Sequence, residues 1–523
     1  SSSVTGIIHL WSLNTEFAEE LTHDNLEKAK ILGCGSALYL LQALKPIINS
    51  QMSNLWLITK GCQNVTANSN NLQLQETLLW GLGKVIGLEH PEYGCRCLDL
   101  EAQSEIIDSA SILLKEILNC DSENQIAYSQ GLRHVARLVP QEKQLEDQPK
   151  HLSIQSHASY LITGGLGALG LEVAQWLVEQ GARNIILSSR RESSAKAQKI
   201  IKNLTNKGAN ISVLLADISK QQEIAQIIKI IKSSLPPLKG VIHAAGIIDD
   251  CLLQQMSWSG FVNVIAPKVN GGWYLHKLTQ DIPLDFFVCF SSMASIIGSP
   301  GQGNYAAANA FMDALIHYRQ SLGLPGLTIN WGPWGKIGMA SRLGDNYQTQ
   351  MASSGINFIT PEQGIKALNC LISKSEPQIG VFNIDWHQFK QGLSQNINMP
   401  LLEELISVKS IPTEEKNSFL SELKKLSATE REKKLNHYLQ DCVAKVLGMR
   451  TNQIDVEQPL MSMGVDSLMA IEIRNQVQTD LEVDIPITKL MEDVNLTTLV
   501  IELNEQLTQR RSEEHTSELQ SPD

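Results

Sequence analysis

The chain has 523 residues, of which 43% are hydrophobic and 5% aromatic, and a formal net charge of −12. That length calls for several domains, the acidity argues against nucleic-acid binding, and no run of about 18 apolar residues offers a membrane span. Nine cysteines are scattered, with Cys95 and Cys97 the only close pair and no His cluster at zinc spacing, so free thiols in a reducing, cytoplasmic compartment and no metal site are expected.

Over residues 1–145 strands (7–11 and 55–59) alternate with helices (29–43 and 73–86), an α/β pattern. Gly33-Cys34-Gly35 is read as opening a helix, but the third glycine of a nucleotide loop is missing, so it reads as a packing turn. A better candidate follows. Residues 159–163 are apolar and β-rich, predicting a buried strand that runs into a glycine turn ending at Gly170. Gly165, Gly167 and Gly170 take the G-x-G-x-x-G spacing: the first permits a tight turn, the second lets backbone approach a pyrophosphate, and the third lets helix and strand pack closely. The helix predicted over 171–180 offers its positive end to the same place. Thr163, Gly164, Gly165, Gly167, Ala168, Leu169 and Gly170 are therefore the candidate dinucleotide cradle.

The next strand, 184–188, ends in Ser189-Arg190-Arg191, where an NAD-specific fold places an acid for the ribose 2′-hydroxyl. Two arginines favour a 2′-phosphate, hence NADPH; the alternative is solvated surface charge. Strands predicted over 211–215 and 240–243 run into Asp217 and Ile218 and into Ala244, Ala245 and Gly246, candidate adenine and ribose walls.

The segment from Phe287 to Asn309, with Ser292 and Tyr305 thirteen positions apart, resembles the active-site segment of short-chain dehydrogenases, in particular the ketoreductase domains of modular polyketide synthases. The wider superfamily has a lysine four residues after the tyrosine, where this chain has Asn309. The polyketide subfamily exchanges the two positions, so the resemblance implies a tetrad of Lys268, Ser292, Tyr305 and Asn309. Ser292 and Tyr305 would donate to the carbonyl oxygen, Tyr305 would supply the proton, Lys268 would lower the phenol's pKa and Asn309 would hold a water. Ile248-Asp249-Asp250 occupies the place of a Leu-Asp-Asp motif that in the family marks a D-configured β-hydroxyl. Ile297 stands where the opposite class has tryptophan, and Ala307 is not the proline of an epimerising subtype. Asp249 and Asp250 are thus the expected stereocontrol residues. The segments 9–13 and 79–91 resemble the family's structural subdomain, and residues 336–343, after Asn330-Trp-Gly-Pro-Trp-Gly335, its substrate lid.

Farther on, residues 408–417 are polar with one proline, as in a flexible connection. Residues 435–447 read as an amphipathic helix, 459–464 as a loop and 467–478 as a second helix with Leu468 and Ile471 facing inward. Ser467 then opens a helix whose positive end welcomes a phosphodiester, an ordinary helix cap being the alternative. Residues 443–475 resemble acyl carrier proteins, which implies 4′-phosphopantetheine on Ser467, preceded by Asp466 and loaded by a phosphopantetheinyl transferase. Residues 431–509 hold 7 Lys or Arg against 13 Asp or Glu, an acidity suited to docking basic partner enzymes or simply to solvated helix faces. Residues 511–523 resemble the translation of a sequencing-adapter oligonucleotide.

The expected fold class is α/β, two Rossmann-like halves followed by an all-α four-helix carrier domain. The expected domains are 1–145 (structural subdomain, truncated at its start), 146–400 (NADPH-binding catalytic subdomain), 401–428 (linker), 429–509 (acyl carrier) and 510–523 (adapter-derived). The expected function is NADPH-dependent reduction of a carrier-bound β-ketoacyl thioester to its D-β-hydroxyacyl product. Ketosynthase and acyltransferase domains are the expected neighbours, and no nucleic acid or membrane partner is expected. The alternatives are an inert ketoreductase scaffold beside a working carrier, and a reductase-carrier unit of a mixed polyketide and nonribosomal peptide assembly line.

Overall fold

The alternating pattern resolves into two mainly parallel sheets in the computed structural model, which describes residues 4–518 apart from 15–20, 45–53, 66–71, 120, 142–153, 336–350, 353, 394–396, 407–417, 448, 466, 482, 484, 486 and 491–493. The predicted lid over 336–343 and the polar connection over 408–417 lie outside the described residues. The chain divides into two compact units. Residues 1–344, 357–383 and 399–405 form the first, and 345–356, 384–398 and 406–523 the second.

The first sheet of unit one is built from β1 (Ile7–His9), α1 (His23–Lys30), α2 (Ser36–Leu44), β2 (Leu55–Lys60), α3 (Thr77–Glu89), β3 (Arg96–Leu100), α4 (Ile106–Leu118), β4 (Gln125–Ser129) and β5 (Leu132–Val135). Strands β1 to β4 are parallel and adjacent in that order, and β5 closes the edge antiparallel. The predicted first strand stops at His9, because Trp11–Leu13 coils into a short 3-10 turn. Gly33-Cys34-Gly35 also differs from expectation: it opens no helix but sits in a wide turn, Ile31–Gly35, that joins α1 to α2. Gly35 packs against the Trp258 ring, where a Cβ would stand at an ordinary contact distance of 3.4 Å, and a Cβ on Gly33 would meet nothing within 4 Å.

At the carboxyl ends of β2 and β3, the edge where a parallel sheet usually receives a phosphate, this half has filled its own anion site. The Lys60 N–H donates to Glu76 (2.7 Å), and those of Cys62 and Gln63 to Asp99 (3.0 and 2.8 Å). Thr59 donates its hydroxyl to the same Asp99 carboxylate (2.8 Å), and Trp80 Nε1 donates to Thr59 (2.9 Å).

The second sheet comprises β6 (Ser159–Thr163), α5 (Ala168–Glu179), β7 (Asn184–Ser189), α6 (Ala195–Asn206), β8 (Asn210–Leu215), α7 (Gln221–Ser234), β9 (Leu238–His243), α8 (Trp258–Thr279), β10 (Phe286–Ser292), α9 (Ala294–Ile297), α10 (Gly303–Ser321) and β11 (Leu327–Trp331), with Gln378–Val381 on the far edge. Its order is β8-β7-β6-β9-β10-β11 and then Gln378–Val381, all parallel. The winding reverses between β6 and β9, the crevice where such sheets take a dinucleotide. Strands buried on both faces explain the unbroken apolar runs: every residue of Ser159–Thr163 and Leu327–Trp331 is buried.

The two halves meet where α3 crosses α10. A Cβ on Gly81 would stand 2.4 Å from the Ala306 carbonyl oxygen and 2.7 Å from Ala307 Cα. Only a residue without a side chain permits that approach.

In unit two, helices Ser418–Lys425, Ala428–Leu447, Ser467–Leu481, Ile487–Leu490 and Leu496–Glu518 follow one another. Leu435, Leu439, Val443, Ala470, Ile473, Val477, Leu481, Leu496, Leu499 and Leu503 are buried. Arg431 donates to Asn504 (2.6 Å) and Thr508 (2.7 Å), tying the second helix to the last, and Tyr438 donates to Asp480 (2.8 Å). The final helix runs through Glu518, into the adapter-like tail.

Because Gly81 carries the crossing, Gly81→Ala should force α3 away from α10 and lower the unfolding free energy by about 2 kcal/mol, a usual penalty for overpacking. Urea titration of the purified chain reads this as a lower midpoint, and an unchanged midpoint would mean that the crossing relaxes freely.

Candidate active site

The glycine turn takes its shape from contacts that exclude side chains. Gly164 has φ +68° and lies against Ala245, whose Cα would be 2.8 Å from an added Cβ. A Cβ on Gly165 would meet the Ile162 carbonyl at 2.8 Å and Leu187 at 2.9 Å, and one on Gly170 the Gly164 carbonyl at 2.5 Å. Helix α5 therefore starts three residues earlier than expected, with Gly167 as its N-cap and no side-chain cap. Ala168 and Leu169 thus form its first turn. Thr163 Oγ1 is 2.7 Å from His243 Nδ1, joining the ends of β6 and β9 below the turn.

Ser189, Arg190 and Arg191 leave the end of β7, with both arginines exposed and the Arg191 N–H donating to Ser189 Oγ (3.3 Å). Burial pushes the Asp217 carboxyl up, but Ser219, which donates its hydroxyl (2.7 Å) and N–H (3.0 Å), and the charges of Arg190 and Lys220 hold it below its usual range. Ile218 is buried against Gly271 of α8. Ala244, Ala245 and Gly246 follow β9, and Gly246 lies so close to Lys268 that a Cβ would stand 2.9 Å from its Cε.

Lys268 reaches this crevice from the middle of α8, beside the helix-breaking Pro267. It is 3% exposed, donates to the Phe290 carbonyl (2.9 Å), and lies 5.5 Å from the Tyr305 ring centre. Burial pulls its pKa down to about 8. Burial and the Lys268 charge together pull neighbouring His243 to about 3, so its imidazole is neutral.

Ser292 ends β10, while Tyr305 and Asn309 stand one turn apart on α10. Burial pushes the Tyr305 phenol up, the Asn309 and Ser292 side chains pull it back by hydrogen bonding, and the Asp250 charge adds to the rise. Asn309 is fully buried; its Nδ2 donates to the Tyr305 carbonyl (2.7 Å), and its Oδ1 accepts from no described residue. The four residues of the expected tetrad thus lie together, with Lys268 Nζ 5.5 Å from the Tyr305 ring centre and the Asn309 and Ser292 side chains beside the Tyr305 phenol, and Gly246 and Ala245 join Lys268 to the glycine turn. Asp249 and Asp250 sit at the rim of this group, where Gln302 Nε2 donates to Asp250 (3.1 Å) and Asn304 Nδ2 to the Asp249 carbonyl (2.9 Å).

Sequence reading missed the layer beneath. Asp313, two turns beyond Tyr305 on the same stripe of α10, accepts from Ser295 (2.6 Å), Thr328 (2.8 Å) and Asn330 (2.8 Å), and Asn330 also donates to Ser291 (3.1 Å). Lys84 of α3 donates to the Ser295 carbonyl (2.5 Å). The spacing of 305, 309 and 313 was the available signal.

In unit two Ser467 is the first residue of helix Ser467–Leu481, after a turn ending at Gly464 with φ +96°. Asp466 and the side chains of Ser467, Leu468 and Ile471 lie outside what the structure describes.

Comparison with known proteins agrees with this layout. The family model for the KR domain matches residues 158–336, and that for the phosphopantetheine attachment site matches 437–503. A phenolphthiocerol/phthiocerol polyketide synthase from Mycobacterium tuberculosis is 32% identical over 467 residues, 87% of this chain and 24% of the relative. The 6-methylsalicylic acid synthase of Aspergillus terreus is 32% identical over 86% of this chain and 26% of its own length, so the chain spans about a quarter of these relatives. Among solved structures, an A1-type ketoreductase superposes with TM-score 0.69 at 29% identity, covering 77% of this chain and 83% of that one. The first ketoreductase of the tylosin polyketide synthase gives 0.60 at 29%, covering 73% and 78%. Residues 158–336 therefore belong to the KR domain family and residues 437–503 to the phosphopantetheine-attachment family, in a chain whose relatives are polyketide synthases.

Proposed function

We propose that the chain is a working ketoreductase and carrier unit, with domains bounded as expected from its sequence, that reduces a β-ketoacyl thioester tethered through 4′-phosphopantetheine on Ser467. The observation that carries this reading is the unbroken run of close contacts from Gly164 through Ala245, Gly246 and Lys268 to Tyr305. The glycine turn and the uncapped start of α5 fit a pyrophosphate, and Arg190 and Arg191 fit the 2′-phosphate of NADPH. When bound, the cofactor supplies hydride. The chain supplies the rest: Ser292 and Tyr305 donate to the substrate oxygen as it gains charge, and Tyr305 gives up its proton. Lys268, held by the Phe290 carbonyl, stabilises the phenolate, and Asn309 Oδ1 orients the water that returns the proton. With all four side chains present, the inert-scaffold reading loses its usual support.

Ile248-Asp249-Asp250, Ile297 and Ala307 support a D-3-hydroxyacyl product with no change at the α-carbon. Solved neighbours described as A1-type and C2-type share the fold, so configuration is argued from these residues alone. The relatives' greater length as polyketide synthases supports ketosynthase and acyltransferase partners, and the match to the phosphopantetheine attachment site supports a phosphopantetheinyl transferase. Free cysteines among the described residues, and no described helix long and apolar enough to cross a membrane, fit a cytoplasmic setting.

Incubation with a short β-ketoacyl thioester surrogate and NADPH, followed by chiral analysis, tests the reading. NADPH should be used in preference to NADH and the D-3-hydroxy product should dominate. Tyr305→Phe should keep NADPH binding and lose turnover by about 10² to 10⁴. Near-wild-type turnover of that variant would remove the mechanism, whereas an L product would overturn only the stereochemical assignment.

Lys268 is the ammonium form below its pKa of about 8, so kcat/KM for reduction should fall as pH rises through about 8. Lys268→Arg keeps its charge and should move that limb upward. A profile flat from neutrality to about pH 9.5 would exclude the ammonium role. For the carrier, a phosphopantetheinyl transferase with coenzyme A should add one pantetheine mass that Ser467→Ala abolishes; a surviving mass shift would place the attachment elsewhere.

A further inference from the structure

Helix α3 turns one stripe toward the catalytic half: Gly81 at the crossing, Lys84 on the Ser295 carbonyl, Leu88 against Gly298 and, at the end, Glu89. Glu89 is 1% exposed. Its Oε2 accepts the Leu253 N–H and its Oε1 the Gly301 N–H, both at 2.8 Å. These two amides belong to different loops. Leu253 ends the segment that carries Asp249 and Asp250, and Gly301 lies in the turn immediately before α10 and Tyr305. The loops also touch directly, since the Cys251 N–H donates to the Gly301 carbonyl (2.8 Å). The Gly301 peptide is thus held on one side by Cys251 and on the other by Glu89, at φ +77°.

One carboxylate therefore fixes the separation of two backbone segments, because its oxygens are rigidly spaced and each takes one N–H. Burial pushes the carboxyl up to about 7, and the two N–H donors oppose that rise. An amide in its place would accept one bond and turn its own donors toward the other N–H. An aspartate would keep the charge but sit one methylene short of bridging both loops.

We propose that Glu89, contributed by the non-catalytic half, is a positioning residue for reduction: it holds the 249–253 loop against the 298–302 turn and so sets the side from which the thioester approaches Tyr305. The role rests on the ketoreductase reading above, and it extends that reading to a residue outside the 158–336 match.

The test uses the full chain with Glu89→Gln and Glu89→Asp. Hydrogen exchange read by mass spectrometry should show peptides spanning 249–254 and 298–303 losing about tenfold protection, as expected for one lost bond to a buried carboxylate, while peptides over 163–170 and NADPH affinity stay unchanged. In the surrogate assay, the ratio of the two 3-hydroxy enantiomers should fall by about tenfold in both variants. Unchanged exchange at both loops in folded Glu89→Gln would overturn the proposal. So would a uniform loss of protection across the first unit, which marks a general stabiliser, or Glu89→Asp matching wild type, which marks a role for charge alone. Failure of the wild type to reduce the surrogate would count against the ketoreductase reading, while the exchange comparison still decides the clamp.

Discussion

The helix crossing at Gly81 is the constraint on which the remaining geometry depends. Helix α10 carries Tyr305, Asn309 and Asp313 on one stripe, and its first turns are pressed against α3 at backbone contact. Interiors are packed densely enough that such a contact transmits position rather than absorbing it. With α3 seated there, Lys84 reaches the Ser295 carbonyl and Glu89 reaches both rim loops. The half that supplies none of the expected tetrad thereby fixes where the tetrad stands.

Within the crevice, burial sets the protonation states. It lowers the Lys268 pKa to about 8 and raises that of the Tyr305 phenol, which in the proposed reduction keeps a proton on the phenol beside an ammonium able to stabilise the phenolate. His243, neutral for the same reason, joins β6 to β9 through Thr163 without adding a second positive charge next to Lys268. Beneath, Asp313 satisfies three donors at once. A buried polar network with that many bonds orders the strand ends that carry Ser292.

The two sheets show opposite uses of one architecture. Apart from the antiparallel edge strand β5, both are parallel, and both present backbone N–H groups at the carboxyl ends of their strands. In the first half those groups are taken by Asp99 and Glu76, acids of the chain itself. In the second half the glycine turn keeps the start of α5 clear of any side-chain cap, which leaves its helix dipole for a phosphate. A few carboxylates and glycines thus set the two Rossmann-like halves apart: in the first the strand-end amides are already occupied, and in the second the glycine turn leaves the helix start open for the proposed cofactor.

The local chemistry was legible in the sequence. Glycine spacing and apolar runs are short-range patterns whose physics is contained within a strand, a turn and a helix, so the second sheet and the start of the Ser467 helix could be read directly, while the expected tetrad came from family resemblance. The first half was less legible, because Gly33 and Gly35 look like a helix start, whereas the chain passes through them in a wide turn from α1 into α2. Lys84 and Glu89 were invisible, because a lone acid or lysine on a helix reads as solvated charge, and Asp313 showed only through its spacing from Tyr305 and Asn309. Only tertiary structure decides that each of these three charges is held by partners on other elements of the fold. Sequence by itself determined which residue types the chain offers for the proposed reduction and tethering; the fold decided how they are held, because partners across a packed interface are set by two distant segments at once.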